Sequence, residues 1–391
     1  MDEESFAPSQ RQYATRADGG YVAFAPPALP PDLLLDDGTI AALSAADRAI
    51  GELAGAGRTL PNPELLAGVL VRREAVLSSR IEGTQASLSE LALFEAEEVR
   101  RPASDVNEVL NYVAAVQHVL DPNRALPLSL RLLREAHEVL LSGVRGGHAT
   151  PGEFRRSQSW IGAPGCTLID ATYVPPPPEA LWRCLDTFEK FLHSERVRPP
   201  LVDIACLHYQ FEAIHPFLDG NGRIGRLLCI LLMVEWGLLP APLLDLSAYL
   251  EPRRDAYYGG LLRVSTHGDW LQWIGFFLSA VAAQATDAVR RARRLQRLRE
   301  QYRATVTTPR ASSLLPQLVD ALFATPALTV TRAQRLLGVS RRAASLNVEK
   351  LVAAGIVDEV VGSTRARVFL ARGVLAVLDE ADPAPTELRR G

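Results

Sequence analysis

Apolar residues recur at spacings of three and four along most of this 391-residue chain, while alternating stretches are short, so the pattern predicts a mainly α-helical protein. Residues 39–54 carry Ile40, Leu43 and Ile50 on one stripe, ended by Gly55 and Gly57 and broken by Pro61 and Pro63. A second helix, about residues 64–79, sets Val69, Leu70, Val76 and Leu77 against the charged run Arg72, Arg73 and Glu74. Helices follow at 106–119 and 128–141, the latter closed by Gly146-Gly147, and at 179–192. Residues 201–214, entered through Pro199 and Pro200, are strongly apolar, and 227–236 are apolar on nearly every face, the mark of a buried central helix. Pro240 and Pro242 end that helix, and Tyr249 to Tyr258 opens another. In 269–283, Trp270, Trp273, Phe276 and Phe277 read as core. The best β-hairpin candidate pairs Trp160-Ile161 with Thr172-Tyr173-Val174, before four consecutive prolines, Pro175 to Pro178. The proline-rich residues 1–37 read as an extended arm, packed on the body or loose.

Residues 310–372 read as a winged helix. Helices are expected at 314–323, at 331–337 with Thr329 or Thr331 near the cap, and at 340–354 with Ser340 as N-cap. Gly338-Val339-Ser340 forms the turn, and 356–361 with 365–370 form the wing around Gly362-Ser363. Arg341, Arg342, Asn347, Arg365 and Arg367 lie where such a module contacts DNA. Winged helices also serve as protein-docking and dimer modules, so a DNA partner, a protein partner and a homodimer all stay open. Between 290 and 303 stand Arg290, Arg291, Arg293, Arg294, Arg297, Arg299 and Arg303, read as a solvated connecting helix in preference to a nucleic-acid surface. The expected organisation is an N-terminal helical region (1–105), a catalytic domain (106–283), a connecting helix (284–309) and a winged-helix domain with tail (310–391).

Composition adds limits. A net charge of −3 gives no global attraction to nucleic acid or membrane, so any basic patch is local. Cys166, Cys184, Cys206 and Cys229 lack metal-like or disulfide-like spacing, which fits a reduced, cytoplasmic setting. Met1-Asp2-Glu3-Glu4 lacks the basic and apolar regions of a signal peptide. No uncharged apolar run reaches the ~18 residues of a spanning helix, and no membrane partner is expected.

The densest chemistry lies in His215-Pro216-Phe217-Leu218-Asp219-Gly220-Asn221-Gly222-Arg223-Ile224-Gly225-Arg226, a polar glycine-rich turn between two apolar helices. A helix opening at Gly220, Asn221 and Gly222 presents unpaired N–H groups and the positive end of its dipole, an anion site. Arg223 and Arg226, three apart, share a face and suit a polyphosphate. Asp219 is a hard oxygen ligand beside that site, and His215 is placed to take a proton. Singly, these are a structural histidine, a capping aspartate, a turn and surface arginines; jointly, every position fits one plan for handling an anion.

Residues 215–226 match every fixed position of the Fic signature, His-Pro-Phe-x-(Asp/Glu)-Gly-Asn-Gly-Arg-x-x-Arg, and the chain resembles that family. The resemblance implies a helical core that transfers AMP from ATP to a Tyr, Thr or Ser hydroxyl of a target protein, with Mg²⁺. It implies His215 as general base, Asp219 as Mg²⁺ ligand, and Gly220, Asn221, Gly222, Arg223, Ile224, Gly225 and Arg226 as the nucleotide-binding cradle. Ser78 to Gly83 matches the family's inhibitory motif, (Ser/Thr)-x-x-x-Glu-(Gly/Asn), within about 64–84. By that match Glu82, with Ser78 and Gly83, forms a brake, Glu82 pairing bidentately with Arg226. Taken alone, Glu82 is a charge at a helix end. The Trp160–Val174 hairpin resembles the family's flap, which docks targets by strand addition. Around Tyr249–Tyr258 the family lines its adenine pocket, where Tyr257 and Tyr258 could stack on a base or pack in the core. Alternatives are a transcription regulator using the domain as a nucleotide sensor, and an enzyme that transfers another phosphate-containing group or removes AMP.

Overall fold

The computed structural model describes residues 2–17, 19–59, 63–97, 105–144, 149–307, 314–360 and 367–380. Two short strands, β1 (Ala14–Arg16) and β2 (Val22–Phe24), precede α1 (Asp37–Thr59), α2 (Pro63–Ile81) and α3 (Leu88–Glu97). Next come α4 (Asp105–Val119), α5 (Leu130–Leu140), α6 (Pro178–Leu192), α7 (Pro200–Ile214) and α8 (Asn221–Glu235). The short α9 (Ser247–Leu250) leads to α10 (Arg254–His267) and to α11 (Trp270–Val306). Last are α12 (Leu315–Ala324), β3 (Ala327–Thr329), α13 (Val330–Leu337), α14 (Arg341–Ala353), β4 (Asp358–Glu359), β5 (Val368–Leu370) and α15 (Arg372–Asp379). The expected Gly146-Gly147, Pro61, Gly362-Ser363 and Arg365, with residues 308–313 and 381–391, lie outside the described residues.

Helices α7 and α8 form the centre. Every residue from Leu201 through Phe211 is buried, as is every residue from Arg223 through Met233. Side chains with nowhere to go but the interior leave no amphipathic stripe, which is why both stretches look apolar all round. His208 fastens three helices at one point. Its Nδ1–H donates to Gly225 O (3.1 Å), and its Nε2 accepts from Tyr257 Oη (2.8 Å). Burial pushes its pKa down to about 3, so it stays a neutral linker. Trp273 Nε1 donates to Ala205 O (2.9 Å), joining α11 to the same bundle.

The N-terminal arm is packed on the body and contains a β1–β2 pair. Phe24 is wholly buried between Phe6, Tyr13 and Tyr173, and its N–H donates to Val174 O (2.9 Å). The 160–174 segment is held by one antiparallel bridge, Ile161 to Tyr173, with reciprocal hydrogen bonds of 2.8 and 3.0 Å. Helices α3 and α15 were not expected: each buries only about four apolar side chains, too short a stripe to stand out in the sequence.

The boundary expected at 283/284 falls inside one unbroken helix, α11. Ala285, Ala288, Val289, Ala292 and Leu295 continue its buried stripe beneath the arginines, at the same three-and-four spacing. Those arginines are occupied. Arg299 and Arg303 pair with Asp320 on α12 (2.8 and 2.6 Å), Arg293 with Glu52 (2.9 Å), and Arg290 and Arg294 with Glu380. Arg291 is fully buried; it bonds Asp287, the Val377 and Leu378 carbonyls, and Glu380 O (2.7 Å), pinning α15.

Beyond α11, β3, β5 and β4 form a three-stranded antiparallel sheet in that order. Helices α12 and α15 pack on α2, while β3 and β5 pack on α3. Helix α2 is therefore clasped between this unit and the central bundle, where it touches α4, α8 and α9. No helix among the described residues is long and apolar enough to cross a membrane.

Asp287 is nearly buried between Arg291, Arg290 and Arg73, the last 3.7 Å away. Removing one partner of a buried ion pair leaves the other charge uncompensated, at a cost of about 3–5 kcal/mol. Asp287→Ala should lower the free energy of urea unfolding by about that amount; a loss under about 1 kcal/mol would show that Arg291 needs no counter-charge.

Candidate active site

The turn joining α7 to α8 is built by its own side chains. Asn221 Oδ1 accepts from Phe217 N (2.9 Å), and Asn221 Nδ2 donates to Phe217 O (2.9 Å). This closed pair curls residues 217–221 and commits the Asn221 amide to the loop. Phe217 is buried and stacks on His137 of α5, with ring centroids 3.8 Å apart. His137 Nδ1 accepts from Gly152 N (2.9 Å), so Nε2 carries the proton and donates to Asp219 O (3.0 Å). Burial pushes its pKa down to about 4, which keeps this bridge neutral.

His215 ends α7 in the left-handed region, with φ 48°, a costly conformation for a residue with a side chain. Its N–H donates to Phe211 O (3.0 Å), and its Nδ1 is buried with no hydrogen bond of good geometry among the described residues. Burial, and then the Arg155 guanidinium, bring its pKa down to about 4. The imidazole is therefore neutral at pH 7 and able to accept a proton.

Asp219 is half exposed, and its Oδ1 accepts from Gly220 N (2.6 Å), with Arg223 Nη2 3.8 Å away. Arg223 is buried and faces Glu108 (3.6 Å), which is itself held by Thr84 Oγ1 (2.8 Å). Its Nε and Nη1 make no hydrogen bond among the described residues. Arg226 is 1% exposed and turns to α2: Nε donates to Ser78 Oγ (2.8 Å), Nη2 to Ser78 O (2.9 Å) and to Glu82 Oε1 (2.7 Å). The expected bidentate Glu82–Arg226 pair is thus a single hydrogen bond through Nη2, with Ser78 holding Nε and sharing Nη2, while Nη1 makes no hydrogen bond among the described residues. Burial raises the Glu82 pKa, but Arg226, then Arg223 and Arg254, pull it below the usual carboxylate value.

Two glycines make room for carboxyl groups. A Cβ at Gly222 would collide with Glu82 Oε1, so Glu82 lies against the first turn of α8. A Cβ at Gly225 would collide with Glu212 Oε1. Burial pushes Glu212 up to about 8, which leaves it protonated at neutral pH. Residues from these elements open onto a cavity of about 810 Å³, walled by Glu82, Glu212, His215 and Gly222, by Trp160 to Pro164 of the hairpin, and by α10.

From α10 the wall takes Arg254, Asp255 and Tyr258. Tyr257 is core, bonded to His208, and Arg253 stacks on Tyr249 (4.0 Å) away from the cavity. Sequence reading did not single out His137, Arg155 or Arg254. His137 could be read only as structural because its partners, Gly152 and Asp219, are 15 and 82 residues away. The run Gly152-Glu153-Phe154-Arg155 was visible but had no spacing that tied it to His215.

Asn221→Ala removes both bonds to Phe217, each worth about 0.5–1.5 kcal/mol. The variant should unfold at lower temperature and show faster hydrogen exchange at the Phe217 amide; unchanged exchange there would mean that the stack on His137 alone holds the turn.

Known proteins resemble this chain in sequence and in fold. The Fic/DOC family N-terminal pattern matches residues 40–121, and the Fic/DOC family pattern matches 127–233. A probable protein adenylyltransferase of Aquifex aeolicus is 28% identical over 197 residues, covering 50% of this chain and 58% of that protein. Protein adenylyltransferase Fic of Drosophila grimshawi is 31% identical over 176 residues, covering 44% of this chain and 32% of that protein. This chain thus spans little more than half of the first relative and about a third of the second. Among solved structures, a Fic family protein from Desulfovibrio desulfuricans G20 has a similar fold, with TM-score 0.55 and 22% identity, covering 88% of this chain and 98% of that one. Fic-1 from C. elegans gives TM-score 0.50 and 22% identity, covering 66% and 74%. With the signature at 215–226 on the α7–α8 turn and both family patterns matched in order, this chain belongs to the Fic family and carries a Fic N-terminal region.

Proposed function

We propose that this protein is an auto-inhibited adenylyltransferase that moves AMP from ATP to a hydroxyl of a target protein. The observation that carries the proposal is the cavity on which a neutral His215 and the α8 N-terminus converge, with Glu82 laid across its anion-binding end. The first-turn N–H groups of α8, at Asn221 and Gly222, suit the α-phosphate, and the buried Arg223 and Arg226 suit the outer phosphates. The target hydroxyl oxygen attacks the α-phosphorus while its proton passes to His215. The bond to the bridging oxygen breaks, and pyrophosphate leaves.

Asp219 fits Mg²⁺ in the manner of nucleotide sites, where one or two carboxylates and the phosphates share the ion, since its half-exposed carboxylate borders the anion site. Mg²⁺, when bound, would neutralise charge on the leaving phosphates. The bridged 160–174 segment, with Trp160 and Ile161 partly exposed, supports a flap that holds a target strand over His215. The order α12–β3–α13–α14–β4–β5 supports the winged-helix reading, and exposed Arg341 and Arg342 on α14 keep DNA contact as a second reading for that unit.

Glu82 and Arg226 set the expected regulation. A charge-assisted hydrogen bond contributes about 1.5–3 kcal/mol, and each ~1.4 kcal/mol is tenfold in the productive population. Glu82→Gly should raise automodification from α-labelled ATP by about tenfold or more, and adding Arg226→Ala should cancel the gain. Equal rates for Glu82→Gly and wild type would reduce Glu82 to a helix-end charge. His215→Ala in the Glu82→Gly background should abolish transfer while ATP still binds; wild-type transfer would remove His215 from the base role.

The base must be deprotonated, so activity falls as pH drops through its pKa. With that pKa near 4, kcat/KM of Glu82→Gly should be level from about pH 6 to 8 and lost only in more acid solution, well below the 6.5 of an ordinary histidine. An acid limb at 6.5 would contradict the buried, neutral base.

A further inference from the structure

Arg155 lies in the loop after α5 and is 3% exposed, yet every hydrogen-bond partner of its guanidinium among the described residues is a backbone carbonyl. Nε donates to His215 O (2.9 Å), Nη2 to Ile214 O (3.4 Å) and Pro176 O (2.5 Å), and Nη1 to Ser157 O (3.2 Å). Its own N–H donates to Pro216 O (2.9 Å). Carbonyls solvate the cation without cancelling its charge. Burial alone brings its pKa down to about 10, which leaves it protonated at neutral pH.

These contacts converge on two places. Ile214, His215 and Pro216 form the left-handed kink that turns the imidazole out of α7. Ser157 and Pro176 are the two ends of the segment bridged at Ile161 and Tyr173. One planar fork therefore ties the kink to the stem of the hairpin, a task for five fixed donors that a lysine ammonium does not meet.

We propose that Arg155 is the positioning residue for the His215 base: it locks the strained kink to the hairpin stem and sets an uncompensated buried charge beside the imidazole. The inference rests on the reading of His215 as the base. Other groups face His215. Glu212, on its own helix, offers it a backbone carbonyl, and Glu82, in the turn just after α2, acts against Arg155. Tyr173 of the hairpin, with Arg254, Asp255 and Tyr258 of α10, borders the same cavity. Among the charged groups acting on the imidazole, Arg155 is the cation that disfavours its protonated form.

The test uses the full-length protein with ¹³C-labelled histidine, in which the His215 resonance is identified by its loss in His215→Ala. Arg155→Gln removes the charge and keeps part of the hydrogen bonding, whereas Arg155→Lys keeps the charge and loses the fork. In Arg155→Gln the His215 titration should move up by about one pH unit. In Arg155→Lys it should stay in place. In the Glu82→Gly background, both variants should bind ATP within about threefold of the parent and lose about tenfold or more in kcat. Should neither chain transfer AMP, the titration still reports on Arg155, so failure of the adenylyltransferase reading and failure of this one are distinguishable. A His215 titration in Arg155→Gln that matches the parent overturns the proposal. So does a kcat loss in Arg155→Lys that is restored by cooling in step with its lowered melting temperature, since that marks a merely structural role. If Arg155→Gln does not fold, Arg155→Lys decides: normal kcat with a folded chain overturns the positioning role.

Discussion

A guanidinium with 1% exposure must find acceptors, and Arg226 finds them on another helix. Its neighbours one turn away on α8 are Gly222, Arg223, Cys229 and Ile230, none of which carries a negative charge, so the cation cannot be met from within its own helix. Ser78 of α2 and Glu82 in the turn that follows meet it, and this contact fixes the register of α2 on the central bundle. Burial works against the cation, while Glu82 leads the neighbours that hold it protonated. Glu74, one turn before Ser78, is likewise buried and bonded to Ser247 and Tyr112. Helix α2 thus brings a polar seam to a bundle whose own helices are nearly all apolar.

The same need for compensation explains the arginine-dense half of α11. On a fully solvated helix all of those side chains would stay in water, as Arg293 and Arg297 largely do here. Instead Asp287, Asp320, Glu52 and Glu380 gather them, and Arg291 is sealed beneath α15. The charges that look like a surface for a polyanion are used mostly within the chain.

What the sequence disclosed follows from range. Phe217, Asp219 and Asn221 act within a single turn, so their spacing is their geometry, and the twelve residues from His215 to Arg226 were readable as one anion-handling unit. Helices α7 and α8 were legible because burial on all sides leaves an unbroken apolar run. The Ser78–Gly83 segment was legible only through the family motif, since 144 residues separate Glu82 from Arg226. Its single-bond geometry was hidden, because nothing local says that Ser78 will hold Nε and share Nη2 with Glu82. Arg155 and His137 acquire meaning only when distant loops meet, and α3 and α15 are too short to show a period. The β1–β2 pair was obscured because its partners are Phe6, Tyr173 and Val174, which no alternation within residues 14–24 reports.

The clasped position of α2 sets a clock. Along its length the helix is held by α4, α8 and α9 on one side and by α12 and α15 on the other, so moving it as a rod disturbs two packed layers. Collective displacements of that kind belong to microseconds and longer. The Glu82 side chain, by contrast, is about a third exposed and needs only to turn about its own bonds, a picosecond-to-nanosecond event. Contact between Glu82 and Arg226 is therefore gated by a rotamer on a stationary post: fast to sample, slow to abolish.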